Sequence, residues 1–119
     1  MRGFGLTIEP LAGGAVCVAL RGELDFEHAY TFDEEVRRIE ARRPSCLVLD
    51  LRALVFLDSS GLARLLAARR RARRDRRRLL LVRPSAAVQR LMAIALVREQ
   101  FETVSEVPDE LRAPADLAC

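Results

Sequence analysis

The run Cys46-Leu47-Val48-Leu49, closed by Asp50, restricts the possible folds of this chain more than any other stretch. Four consecutive apolar residues leave no polar side to turn toward water, and the run is short enough for a central strand covered on both faces. The flanking segments supply the cover. Upstream, Phe26 to Ala41 carries Phe32, Val36 and Ile39 at spacings of three to four, with acidic residues early and Arg37 and Arg38 late. This is an amphipathic helix whose charges suit its dipole. Downstream, Leu62, Leu65, Leu66 and Ala68 mark one face of a second helix, whose Arg64 and Arg70 to Arg74 are expected to face solvent.

The remaining segments extend the same alternation. Leu6 to Glu9 and Val16 to Leu20 read as two neighbouring strands around the turn signal Gly13-Gly14, and Arg21-Gly22-Glu23-Leu24-Asp25 interrupts the second. Leu79 to Val82 is another strand. Ser85 is placed to cap a third helix containing Val88, Leu91, Met92 and Leu96. Phe101 to Val104 adds a short edge strand, and Asp109 to Arg112 a helical turn between Pro108 and Pro114. Short connections between alternating elements give an α/β domain with a mixed or mostly parallel sheet of four to five strands packed against helices. At 119 residues there is room for one core. With aromatic residues at 5% and no tryptophan, leucine, valine, isoleucine and alanine must build it.

Several function classes lose ground on composition. Cys17, Cys46 and Cys119 are far apart and odd in number, which argues against a disulfide scaffold, and with His28 they lack compact metal-ligand spacing. Gly3-Phe4-Gly5 and Gly13-Gly14 match neither a Walker loop nor a dinucleotide fingerprint, so no cofactor is expected. All 20 basic residues are arginine, and nine of them fall between Arg64 and Arg78. Such a run suits an acidic surface, but no aromatic stacking pattern or recognition helix accompanies it, so no direct DNA binding is expected. No apolar run approaches the length of a membrane span, and the first residues lack the apolar core of a secretory signal. Stable membrane insertion is not expected, and a cytoplasmic location is.

The segment with chemical interest is Asp58-Ser59-Ser60-Gly61, between the apolar Ala53 to Leu57 and the second helix. Ser59 or Ser60 can cap that helix and leave a hydroxyl at its positive end. A phosphate there would meet the helix field, yet would add about two negative charges beside Asp58 and a nearby acid such as Asp25. Serine followed by glycine is also a common solution for a strand-to-helix turn, and the tetrapeptide alone leaves both readings open. Catalysis is not expected: the only histidine is His28, and no Gly-x-Ser-x-Gly elbow surrounds Ser59.

Four stretches taken together resemble the STAS family, and specifically the bacterial anti-sigma factor antagonists. They are Arg21-Gly22-Glu23-Leu24-Asp25, Leu47-Val48-Leu49-Asp50-Leu51, Val55-Phe56-Leu57-Asp58-Ser59-Ser60-Gly61-Leu62 and Arg78-Leu79-Leu80-Leu81-Val82. The resemblance covers residues 4–107 and leaves 108–119 as a short extension or degenerate final helix. It implies a STAS-like mixed sheet backed by helices and a phosphoacceptor at Ser59. It also implies an anti-sigma factor with serine kinase activity as partner, a phosphatase that restores the unmodified form, and a partner switch that regulates transcription. Asp25, Leu57, Asp58, Ser60, Gly61 and Leu62 would form the partner surface. A STAS-like scaffold in another regulatory complex or a lipid-transport assembly, without phosphorylation, is the alternative. Asp75 and Ala95 stand about where the family commonly closes a helix with glycine.

Overall fold

A computed structural model describes residues 3–112. The elements run β1 (Phe4–Pro10), β2 (Val16–Leu24), α1 (Phe26–Glu40), β3 (Cys46–Leu57), α2 (Ser59–Arg74), β4 (Arg78–Val82), α3 (Ala86–Ile94) and β5 (Glu102–Val104). Single turns of tighter helix occupy Ala12–Gly14, Arg98–Gln100 and Asp109–Leu111. The five strands form one sheet in the order β1-β2-β3-β4-β5. β1 is antiparallel to β2, and every later pair is parallel. β3 is therefore the central strand, as its apolar run requires.

Alternation along the strands divides the interior in two. Val18, Leu20, Leu47, Leu49 and Leu81 share a cluster with Phe32, Val36 and Ile39 of α1, Leu62 and Leu65 of α2, and Val88 and Met92 of α3. Cys17, Cys46, Val48, Leu80 and Val82 form the other cluster, closed by Leu11, Val104, Val107 and Leu111. The three helices thus pack on one face, and the second face is covered by loops and short turns. Cys17 and Cys46 are free and buried, and burial above all pushes the Cys17 thiol up to about 11. The residues after Arg112, including Pro114 and Cys119, lie outside those described.

Two expected breaks turn out to be continuous strand. β2 runs on to Leu24 because Gly22, at φ 84°, absorbs an irregularity in the β2–β3 register. Any side chain at Gly22 would collide with the Gly3 carbonyl oxygen, which accepts the Glu23 amide at 3.0 Å. β3 likewise continues through Asp50-Leu51-Arg52 to Leu57. Asp50 accepts the Arg52 backbone amide at 3.1 Å and its guanidinium at 2.8 and 2.9 Å, which satisfies the polar pair without a turn.

The helix ends and the arginine-rich face also differ from expectation. Asp75 and Ala95 keep ordinary backbone, at φ −94° and −79°. The left-handed residue comes one position later in each case, at Arg76 (φ 55°) and Leu96 (φ 59°). Arg77 N–H bonds back to Ala72 O at 2.8 Å and Val97 N–H to Met92 O at 3.0 Å, the Schellman closure that glycine usually serves. Arg71, expected in solvent, is buried between α1 and α2. Its Nε donates to Glu40 Oε1 at 2.6 Å and its Nη1 to Asp33 Oδ1 at 3.4 Å. The two carboxylates on α1 draw it inward, because a buried charge needs partners.

Candidate functional site

Parallel strands β2 and β3 end side by side, Leu24 opposite Leu57, and each runs into a helix after a single aspartate. Asp25 caps α1, accepting the His28 amide at 3.2 Å. Asp58 caps α2 through Oδ1, which accepts the Gly61 amide at 3.0 Å. The other oxygen, Oδ2, accepts the Phe26 amide at 2.9 Å and so reaches the first residue of the neighbouring helix. Two positive helix ends are thereby set next to each other at the C-terminal ends of the two strands, each with a carboxylate on its amides.

The cap of α2 is thus Asp58, in place of the serines. Helix geometry already includes Ser59, so its side chain is the first to leave the helix, and it is exposed. Ser60 is half-buried and Gly61 buried. A methyl group on Gly61 would overlap the Leu24 carbonyl oxygen and lie 2.7 Å from Leu57 Cδ1. Glycine here lets the first turn of α2 lie against the end of β2. That close approach ties Gly22-Glu23-Leu24-Asp25 to Asp58-Ser59-Ser60-Gly61.

Of the residues expected at a partner surface, Asp25, Asp58, Ser59 and Ser60 are brought together with some exposure. Leu57 and Leu62 are not part of that surface: at 5% and 6% exposed they belong to the core beneath it. The apolar surface comes instead from residues that sequence reasoning passed over. Phe26 is 79% exposed at the start of α1, Tyr30 is 71% exposed one turn along, and Val55 and Phe56 are 44% exposed at the end of β3. Phe26 keeps the helical spacing of the buried Ala29, Asp33 and Val36, so periodicity gave no sign of its exposure at the helix start. Tyr30 falls outside that buried stripe, and this was the available signal.

His28 is committed elsewhere. Its Nδ1 lies 2.7 Å from Asp25 Oδ1 and its ring stacks on Phe4 with centroids 5.6 Å apart. Among the described residues no hydrogen bond joins His28 to Ser59. Among those same residues no group of histidine, cysteine and acidic side chains is arranged to hold a metal, and no helix is long and apolar enough to cross a membrane.

The family model for the STAS domain matches residues 10–110. Solved structures with the same fold include an anti-sigma factor antagonist from Mycobacterium paratuberculosis, 24% identical over 91% of each chain with a TM-score of 0.80. The anti-sigma factor antagonist SpoIIAA in its unphosphorylated form is 20% identical, over 86% of this chain and 90% of that one, with a TM-score of 0.73. The Bacillus cell fate determinant SpoIIAA in the phosphorylated form is 20% identical, over 86% and 93%, with a TM-score of 0.67.

Proposed function

The chain belongs to the STAS domain family, and from that premise we propose that it is an anti-sigma factor antagonist, a binding module and not an enzyme. Its unmodified form binds an anti-sigma factor with serine kinase activity, and phosphorylation of Ser59 by that partner ends the complex. A phosphatase returns the chain to its binding form. Similarity to antagonists, one of them known in phosphorylated and unphosphorylated forms, supports this reading.

The observation that carries it is the exposed Ser59 at the first position of α2, directly after the shared cap Asp58, which also holds the first residue of α1, the exposed Phe26. Exposed aromatic side chains on the segments that lead into this turn, Phe26 and Phe56, suit a protein partner, since aromatic side chains supply most of the affinity in such interfaces. Transfer moves the γ-phosphoryl group of ATP onto the Ser59 oxygen, with ADP leaving and the hydroxyl proton passing to a base of the kinase. The product places about two negative charges next to the Asp58 carboxylate, on the surface the partner would cover. Burying that charge against the partner is unfavourable, so the complex dissociates faster.

The test is to incubate the protein with its cognate anti-sigma kinase and ATP and map the product by mass spectrometry. Modification at Ser59, abolished by Ser59→Ala and kept in Ser60→Ala, is the expected result. No modification while a control antagonist is modified, or modification at Ser60 alone, would sink the proposal. Co-purification with a transporter ATPase instead of a kinase would point to the scaffold role.

A further inference from the structure

We propose that β1 is a self-association edge: a second copy of this chain lays its own β1 antiparallel along it, around a two-fold axis at Thr7, and joins the two sheets into one. The two edges of the sheet are not alike. β5 has three residues, and its first, Glu102, is held by Arg78 of β4. β1 has seven residues, pairs with β2 without an irregularity, and carries a single charge, Glu9, and a proline only at its last position. A long regular edge with neither a bulge nor an interior proline offers its backbone to another strand.

The direction of the backbone groups along β1 is fixed at both ends. The Gly3 carbonyl accepts the Glu23 amide at 3.0 Å, and the Leu11 amide donates to the Ala15 carbonyl at 2.8 Å. Both pairs continue the register in which Phe4 opposes Gly22 and Pro10 opposes Val16. Hydrogen-bonded and open pairs alternate in an antiparallel ladder, so Gly5, Thr7 and Glu9 turn their backbone groups to β2. Phe4, Leu6 and Ile8 turn theirs outward, on the outer strand of the sheet. Pairing centred on Thr7 sets Leu6 opposite Ile8 of the second copy, each donating to and accepting from the other. Pro10, which has no N–H, then falls at the end of the ladder, where its carbonyl accepts the Phe4 amide.

Side chains on both faces complement one another in this register. Ile8 is 48% exposed on the helix side of the sheet, where Leu6 is already partly covered, and the pairing lays the two side chains together. On the other face Gly5 opposes Arg21 of β2, and a methyl group at Gly5 would overlap the Arg21 guanidinium. The guanidinium therefore lies across the glycine. Glu9 of the second copy stands opposite Gly5 on that same face, beside the Arg21 charge, and the two-fold axis repeats the contact. Arg21 and Glu9 are both exposed, and neither has an ion pair among the described residues. Centring on Ile8 would set Pro10 against Leu6 and lose a donor, and centring on Leu6 would carry Glu9 past Arg21 to Gly3. One strand pair is a small interface, so the dimer is a weak one.

Sedimentation velocity of the full chain, from about 10 µM to about 1 mM, tests the edge. We expect a monomer–dimer equilibrium that shifts with concentration. Ile8→Pro removes an outward N–H that β2 does not use, so the fold is kept and association weakens by about tenfold. Glu9→Arg and Arg21→Glu, at exposed positions, should each weaken it by about threefold or more, and the two together should restore it. This charge swap keeps the test decisive even where proline unsettles the strand. Arg90→Gln on α3 should associate as the original. A single monomeric species over the whole range would overturn the proposal. So would a dimer that a folded Ile8→Pro leaves intact, or a double charge variant that associates no more tightly than the single ones.

Discussion

The Asp58 carboxylate serves a helix that is not its own: its Oδ2 accepts the Phe26 amide at 2.9 Å across 32 residues of sequence. With Oδ1 on Gly61, one side chain caps α2 and ties down the first residue of α1. Replacing Asp58 with alanine should remove a cap worth about 1 kcal/mol and a further bond worth about 0.5–1 kcal/mol at an exposed amide. Urea unfolding should therefore give a loss of about 2 kcal/mol, with Asp58→Asn losing roughly half of that because its amide group accepts at one oxygen only.

Gly61→Ala tests the close approach of α2 to the end of β2. The added methyl meets the Leu24 carbonyl oxygen, a backbone atom that cannot swing aside. Overpacking of this kind costs about 1–3 kcal/mol. Thermal unfolding should show it, and an unchanged midpoint would mean that the helix start is looser than the structure has it.

At the end of α3, Leu96 holds a left-handed backbone with its side chain 86% exposed. Leu96→Gly should stabilise by about 1 kcal/mol, since that backbone is strained for any residue with a Cβ. Ala95→Gly should lose up to about 1 kcal/mol, because Ala95 is helical at φ −79°. Opposite signs for adjacent positions would be the signature in denaturant midpoints.

Acid should weaken the fold through two carboxylates. Burial would raise the Asp50 carboxyl, but its bonds from Arg52 outweigh that and hold it below the ordinary 3.8. The Arg78 guanidinium holds Glu102 below the ordinary 4.5, at 2.7 and 3.2 Å across β4 and β5. A group whose folded value is depressed stabilises above its unfolded value, and that contribution disappears as pH falls through the folded one. Urea midpoints should fall as pH is lowered below about 5, and the fall should be shallower in Asp50→Asn. The Glu102 share is small, since the pair is about half exposed.

Phe26→Ala and Phe56→Ala probe the exposed rings. Phe26 is 79% exposed, so its loss should change stability by no more than about 0.5 kcal/mol, whereas Phe56, at 44% exposed, should cost about 1 kcal/mol. Binding to the anti-sigma partner, measured by surface plasmon resonance, should weaken by about tenfold or more if these rings are anchors. Unchanged affinity in both would move the interface elsewhere.

The central strand, the three helices and the sheet class were legible because hydrophobic periodicity records which faces are covered. The limits of β2 and β3 were not: Arg21 to Glu23 and Asp50 to Arg52 look like interruptions, yet a register irregularity at Gly22 and a local Asp50–Arg52 pair keep both extended. At the β3–α2 turn, the sequence suggested a serine cap, whereas the cap is Asp58. An aspartate and a serine cap equally well in sequence, and what decides is that Ser59 already has helical backbone, which leaves Asp58 at the cap position. Leu57 and Leu62 were read as surface because they flank the serine, whereas strand and helix directions send both inward. Arg71 could not be told from its neighbours without knowing which side of α2 meets Asp33 and Glu40.

The order of strands across the sheet repeats their order along the chain. Each strand leaving the ribosome can therefore dock on the one made just before it, and no place must be held open for a later arrival. The growing edge is always the newest strand. The two aspartate-capped helix starts can come together once the chain is out as far as Gly61, before β4 or β5 has docked. A nascent chain thus carries its serine in nearly final surroundings while two of its five strands are still to be added.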